Sequence, residues 1–183
     1  MYDESSRLIN ISGLVIIISG FLMINELIYK FAENEIENDG VREVRQRVFV
    51  EEQGIPENLV FGGDPGDDDN LVVVLDGQSV IATARIIYFS QDTAKIERMA
   101  VLEKYRNRGI GRTMMSFMIS EIKNRGFNKV YLHSQYTAVD FYRACGFRVV
   151  GPPFMDAGIN HIKMDLNSFN VLSSNTSNFL EYS

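Results

Sequence analysis

The chain has 183 residues and a formal net charge of −6, which fits one domain with a core of ordinary size. The acidic balance argues against a general nucleic-acid binder, because phosphate contacts need clustered Lys and Arg. A single cysteine, Cys145, excludes an internal disulfide and points to a reducing, cytoplasmic setting. Two histidines, His133 and His161, are too few for a histidine-based metal cluster, so no metal is expected.

Residues 1–25 form an apolar extension of unclear role. Leu8–Ile24 is interrupted by Asn10, Ser12, Gly13, Ser19 and Gly20, whereas a spanning helix wants roughly 20 apolar residues. The flank MYDESSR carries no positive excess, which weakens the signal-peptide and membrane-anchor readings. A helix or strand docked on the domain, or a poorly ordered extension, is the alternative. Glu26–Ala32 then reads as a first strand, and ENEIENDG as a polar loop with Asn38 or Asp39 as helix cap. Val41, Val44 and Val48 recur at helical spacing, and this helix should end by Gly54, ahead of Pro56. Residues 54–70 read as a loop; within it Asp64 and Asp67 are either solvated or an attraction for a positively charged group.

Leu71–Leu75 and Ser79–Phe89 are strand-like and joined through Asp76-Gly77, a hairpin signal. TAKIERMAVL, from Thr93, is the next strand. Alternation puts Ala94, Ile96, Arg98 and Ala100 on one face and Lys95, Glu97, Met99 and Val101 on the other, unless a bulge intervenes. After EKYRNRGIG comes a helix with an apolar stripe of Met114, Met115, Met118, Ile119 and Ile122, closed by Lys123, Arg125 and Gly126. Asn128–Ser134 is a strand, Thr137–Cys145 a helix, and Phe147–Val150 and His161–Leu166 are strands. The Ser- and Asn-rich tail, residues 167–183, is expected to be disordered.

A strand feeding a glycine- and arginine-rich turn that opens a helix makes an anion site, because the first N–H groups of the helix point outward with the positive dipole end behind them. The spacing here is not that of a P-loop, and Met114 replaces the third glycine of a dinucleotide fingerprint. Three arginines, Arg106, Arg108 and Arg112, crowd the helix start, where a phosphate ligand accounts for them better than a solvated surface run.

Arg106-Asn107-Arg108-Gly109-Ile110-Gly111 is an R-x-x-G-x-G, and this resembles the acetyl-CoA pyrophosphate loop of the GNAT (Gcn5-related) N-acetyltransferases. Ala138-Val139-Asp140-Phe141-Tyr142-Arg143-Ala144-Cys145-Gly146-Phe147 matches the A-x-x-F-Y-x-x-x-G-F of the same family. RVFVEEQG, from Arg47, and AGINHIKM, from Ala157, narrow the resemblance to the ElaA-like branch; it covers residues 26–166 as one domain. It implies an α/β chain with the GNAT acyl-CoA N-acyltransferase fold: a mixed central sheet, flanked by helices, whose fourth and fifth strands splay apart.

The resemblance further implies an enzyme that moves acetyl from acetyl-CoA, as co-substrate, to a primary amine of a small molecule by direct attack. Arg106, Asn107, Arg108, Gly109, Ile110, Gly111 and Arg112 would hold the pyrophosphate. Met99, Ala100 and Val101 would bond the pantetheine arm like an added strand, with Gln135 on the next strand also at the cofactor. Tyr142 would protonate the departing thiolate, although from the residues alone a core aromatic is the better account. Glu97 is a candidate base for an amine whose pKa lies near 10, or else an ion-pair partner of Lys95 or Arg98. His161 is either structural or a substrate contact. Cys145 lacks a basic partner and reads as a small buried residue. The competing readings are a non-catalytic acyl-CoA-binding or regulatory domain and a membrane-tethered interaction protein. Partners are then a small amine, with no nucleic acid, no membrane as the main expectation, and room for a homodimer.

Overall fold

The computed structural model describes residues 16–18, 21–24, 26–61, 70–89 and 92–166. The expectations for residues 1–15, for Asp64 and Asp67, and for the tail lie outside them. The chain divides into two compact units. One holds the described residues up to Arg85 with Arg98–Met114, and the other Ile86–Glu97 with the described residues from Met115 onward.

In the first unit β1 (Ile16–Ile18), β2 (Phe21–Ile24), β3 (Leu27–Phe31), β4 (Leu71–Asp76) and β5 (Ser79–Phe89, to Arg85 in this unit) pair antiparallel in chain order. Part of the apolar extension is therefore strand, placed by ladder pairing with β3. The β4–β5 turn falls on Gly77-Gln78, one residue beyond Asp76-Gly77, and Gly77 takes φ 60°. β4 is buried from Leu71 to Leu75 on both faces.

Helix α1 (Glu35–Arg45) starts earlier than the sequence suggests. Its cap is Asn34, not Asn38 or Asp39: Asn34 Oδ1 accepts from the Glu37 N–H at 3.0 Å, and Glu37 Oε2 accepts from the Glu33 N–H at 2.8 Å. The Asn34 half is that of a capping box, while Glu37 reaches one residue further back than a capping box does, and such a cap contributes about 1 kcal/mol. Lys30 Nζ pairs with Glu37 at 3.0 Å and so ties the cap to β3. The supposed polar loop is thus the first turn and a half of the helix. Gly40 misleads a reading of the residues. It sits mid-helix because a Cβ there would stand 2.4 Å from Val80 Cγ2 of β5. Val41 packs with Leu71, Val73 and Leu75, and Val44 with Val48 and Ala100.

From Gln46 to Glu52 the helix continues as a π-helix, ending before Gly54 at φ 68°. Within the stretch read as loop, Glu57–Phe61 forms a short helix α2. The first unit closes with the second half of β6 (Thr93–Val101), a 3-10 turn at Glu103–Tyr105 and the start of α3 (Ile110–Asn124).

In the second unit the first half of β6 runs parallel to β7 (Lys129–Gln135), and β10 (Ile159–Leu166) is antiparallel to β7, β8 (Phe147–Val149) and β9 (Phe154–Asp156). Counting from β3, β6 and β7 are the fourth and fifth strands of the expected order. Their pairing runs from Thr93↔Lys129 to Ile96↔Leu132 and stops there, though both strands continue. α3 buries Met115, Phe117, Met118, Ile119 and Ile122 here and Met114 in the first unit. It ends in a paired cap, Phe127 N–H to Ile122 O and Gly126 N–H to Lys123 O, with Gly126 at φ 86°. A 3-10 turn at Tyr136–Ala138 leads into α4 (Val139–Ala144). The sequence reading passed over β9, whose two-residue turn to β10 is Ala157-Gly158, at φ 48° and 76°.

Candidate active site

The strand–loop–helix stretch lies in the first unit from Arg98 to Met114. Arg98 takes φ 51° in the middle of β6 and donates from Nη1 to the Val60 carbonyl of α2 at 2.6 Å. A side-chain-bearing residue in the left-handed region within a strand marks a bulge. The simple alternation that set Glu97 and Met99 on one face therefore breaks at Arg98. Beyond it, Met99 and Val101 are half-buried, while Ala100 is buried against Val44 and Val48.

The loop itself is braced from its own unit. The Tyr105 hydroxyl donates to Asp76 Oδ2 at 3.0 Å, and the Lys104 and Arg108 cations lie 4.8 and 5.6 Å from its ring centre. Arg106 donates from Nε to the Val101 carbonyl at 2.9 Å and pairs through Nη2 with Glu52. Asn107 and Gly109 take φ 62° and 78°, and a Cβ on Gly109 would meet nothing within 4 Å. Asn and Gly are the residue types that adopt this conformation most easily. The Thr113 N–H reaches back to the Gly109 carbonyl at 3.0 Å, so helix geometry leaves the N–H groups of Ile110 and Gly111, in the first turn, without intrahelical acceptors. Arg106, Asn107, Arg108, Gly109 and Arg112 are exposed, Gly111 is half-buried and Ile110 is buried. The Tyr29 hydroxyl of β3 bonds the Thr113 side chain, and burial raises its pKa, so it stays a neutral partner under the helix start. An exposed loop that opens a helix start, with the positive dipole end behind it, fits a phosphate or pyrophosphate.

Glu97, Gln135 and Tyr142 belong to the second unit. Glu97 Oε2 lies 2.6 Å from Lys95 Nζ, which is the ion-pair alternative raised for it. Gln135 ends β7 in register with His161 and accepts from the Ser134 hydroxyl through its carbonyl at 2.8 Å. Tyr142 packs edge-on to Phe141 and Phe147, with ring centres 5.1 and 6.1 Å apart. Burial, aided by Cys145, pushes the Tyr142 phenol far above the ordinary tyrosine range, so it carries its proton at any physiological pH. Cys145 is buried.

The two histidines belong to a row of rings on β5, β7, β9 and β10. Successive centres of Phe89, Tyr131, His133, Phe154 and His161 lie 6.3, 5.8, 4.8 and 6.0 Å apart. Lys163 sits over Tyr131 at 4.6 Å, and His161 Nδ1 lies 3.0 Å from the Ile159 carbonyl. Phe154 and Glu52 escaped the sequence reading as partners. Only strand register brings Phe154 beside His161, and Glu52 stands 54 positions from Arg106.

A sequence profile described as "Acetyltransferase (GNAT) domain" matches residues 34–168. The chain belongs to the GNAT acetyltransferases. Among its GNAT relatives, the uncharacterised N-acetyltransferase YjcF of Bacillus subtilis is 31% identical over 134 residues, covering 73% of this chain and 94% of YjcF. Protein ElaA of Escherichia coli is 30% identical over 125 residues, covering 67% of this chain and 82% of ElaA. The crystal structure of E. coli ElaA superposes with a TM-score of 0.66 over 76% of this chain and 98% of that one, at 24% identity. A GNAT family acetyltransferase from Elizabethkingia anophelis with acetyl-CoA bound superposes at 0.56 over 78% and 98%, at 17% identity, a likeness of fold. This GNAT chain therefore has the acyl-CoA N-acyltransferase fold, with β6 and β7 as its parallel splayed pair. Among the described residues no helix is long and apolar enough to cross a membrane, and no group of three or more His, Cys, Asp or Glu could hold a metal.

Proposed function

We propose that this GNAT protein is an acetyl-CoA-dependent N-acetyltransferase that acetylates a primary amine of a small molecule by direct attack. The observation that carries the reading is the exposed loop Arg106–Gly109, opened by left-handed Asn107 and Gly109 at the start of α3, in a chain of this family. Family neighbours solved with coenzyme A or acetyl-CoA bound support the choice of co-substrate.

When bound, the thioester supplies an activated acetyl group. The N–H groups of Gly109–Arg112, with Arg108 and Arg112, hold the pyrophosphate. Backbone groups of Met99–Val101 align the pantetheine arm as an added strand, and Gln135 contributes from β7. A β6 amide takes the charge that develops on the acetyl oxygen. Tyr142, always protonated, donates to the departing sulfur, so that no bare thiolate is released. The proton lost by the attacking amine passes to Glu97, directly or through one water, and the Lys95 ammonium holds that carboxylate in place.

A panel of primary amines, assayed with acetyl-CoA for thiol release, tests this. Release that depends on one class of amine and saturates in both substrates is expected. No release with any amine, together with tight coenzyme A binding, would favour the non-catalytic acyl-CoA-binding reading.

A further inference from the structure

The Arg106 side chain is committed inside its own unit. Nε donates to the carbonyl of Val101, the last residue of β6, and Nη2 to the carboxylate of Glu52, the last residue of the π-helix. One guanidinium thus joins the end of a strand, the end of a helix and the loop that Arg106 itself begins. The join continues a packed seam, because Val48, one turn before Glu52, shares a cluster with Ala100, next to Val101. As a stabilising contact the pair counts for little: the two side chains keep 39% and 33% of their surface exposed, and exposed ion pairs contribute little to folding.

We infer that Arg106 is a positioning residue for the acetyl-CoA loop, and that Glu52 is the group that fixes it. This rests on the proposed function, since it takes the loop to hold a pyrophosphate. A guanidinium already matched by a carboxylate adds no net charge for a second anion, and leaving Glu52 for the ligand would bring that carboxylate to face a phosphate. The anion is met instead by backbone N–H groups and by Arg108 and Arg112. What Arg106 supplies is order. Asn107 and Gly109 are left-handed and exposed, so an unanchored loop has many arrangements to give up on binding. A residue pinned at its first position removes much of that cost beforehand.

The test is calorimetric titration of coenzyme A into the wild-type chain, Glu52→Gln, Arg106→Gln and the double variant, with melting temperatures taken without ligand. A shared positioning role requires each single change to weaken binding roughly ten-fold, within the range for residues of one network. The double variant should be no weaker than the poorer single one, and unliganded melting temperatures should stay put. The salt dependence of binding should also persist in Arg106→Gln, since no phosphate contact is lost. Arg106→Lys should fail to rescue, because one ammonium does not reproduce the two-directional fork. Weaker binding in Arg106→Gln with tighter or unchanged binding in Glu52→Gln, or rescue by lysine, would make Arg106 a direct phosphate ligand and overturn the inference. Wild-type affinity in all variants would overturn it too. Failure of the wild-type chain itself to bind coenzyme A would instead overturn the proposed function.

Discussion

The Arg106–Gly111 loop and the Asp156–Ile159 turn each place two residues in the left-handed region: Asn107 and Gly109 in the first, Ala157 and Gly158 in the second. The loop uses residue types that accept the conformation at low cost, and its residues 106–109 are exposed beside a helix start. The hairpin puts an alanine where a Cβ costs about 1 kcal/mol. What it gains is the register that sets Phe154 beside His161. One turn turns easily at a helix start; the other spends strain to align side chains. A turn built for its own conformation is open to a ligand, whereas a turn held by its neighbours serves them.

The contrast breaks most sharply at Gly109. Acetyl-CoA should raise the melting temperature of the wild-type chain, since a ligand of the folded state stabilises it by mass action. Gly109→Asp should abolish that rise by putting a carboxylate where the pyrophosphate belongs, while Gly109→Asn, with the same shape and no charge, should keep most of it. If the aspartate variant folds and responds like wild type, the loop is not the binding site.

Next in size is Tyr142→Phe, which separates holding from chemistry. It preserves the packing on Phe141 and Phe147 and removes only the hydroxyl. We expect kcat to fall about ten-fold to a thousand-fold, the scale of a lost general acid, with the KM for acetyl-CoA unchanged. An unchanged kcat, with chemistry rate-limiting, would return Tyr142 to the core aromatics.

The hairpin side of the comparison is probed by Ala157→Asn. Asparagine tolerates the left-handed region, so stability should rise by about 0.5–1 kcal/mol, read as a higher melting temperature. Ala157→Val should lower it. No change in either variant would mean that the turn carries no strain.

The smallest effect concerns pH. Burial first, then Lys95, His161 and Lys163, hold His133 below the ordinary histidine pKa, with Asp156 opposing. The unfolded chain therefore takes up a proton that the folded one refuses. Stability from this group is complete above about pH 6.5 and is lost as pH falls below it. His133→Phe keeps a ring between Tyr131 and Phe154 and should flatten the decline in melting temperature between about pH 6.5 and 5. An equal decline in the variant would assign the acid sensitivity elsewhere.

The loop was legible in the residues because Gly109, Gly111 and the arginines each announce a local conformation or a charge, as Asp76-Gly77 announces its hairpin. The start of α1 lies upstream of the expected cap for an equally local reason: Asn34-x-x-Glu37 sits inside a polar stretch that reads as loop, with Asn38 and Asp39 as competing caps. The Ala157 turn and the Glu52–Arg106 pair were not legible in the same way, and the Arg98 bulge stood only as an alternative to plain alternation. The bulge and the pair meet distant partners, Val60 and the end of the π-helix, and the alanine in the turn does not declare the left-handed conformation it takes there.

Gly40 shows what such impositions mean for the history of the chain. Its missing side chain is the mould of Val80, so positions 40 and 80 share one volume between two elements. Across relatives the pair should covary in size, alanine or serine at 40 appearing only where 80 has shrunk. In a saturation mutagenesis screen Gly40 would then score as intolerant as a catalytic residue, and a smaller residue at 80 would rescue it. An invariant glycine on this helix is a mark of fit, and a screen that ranks positions by intolerance alone would mistake it for a mark of function.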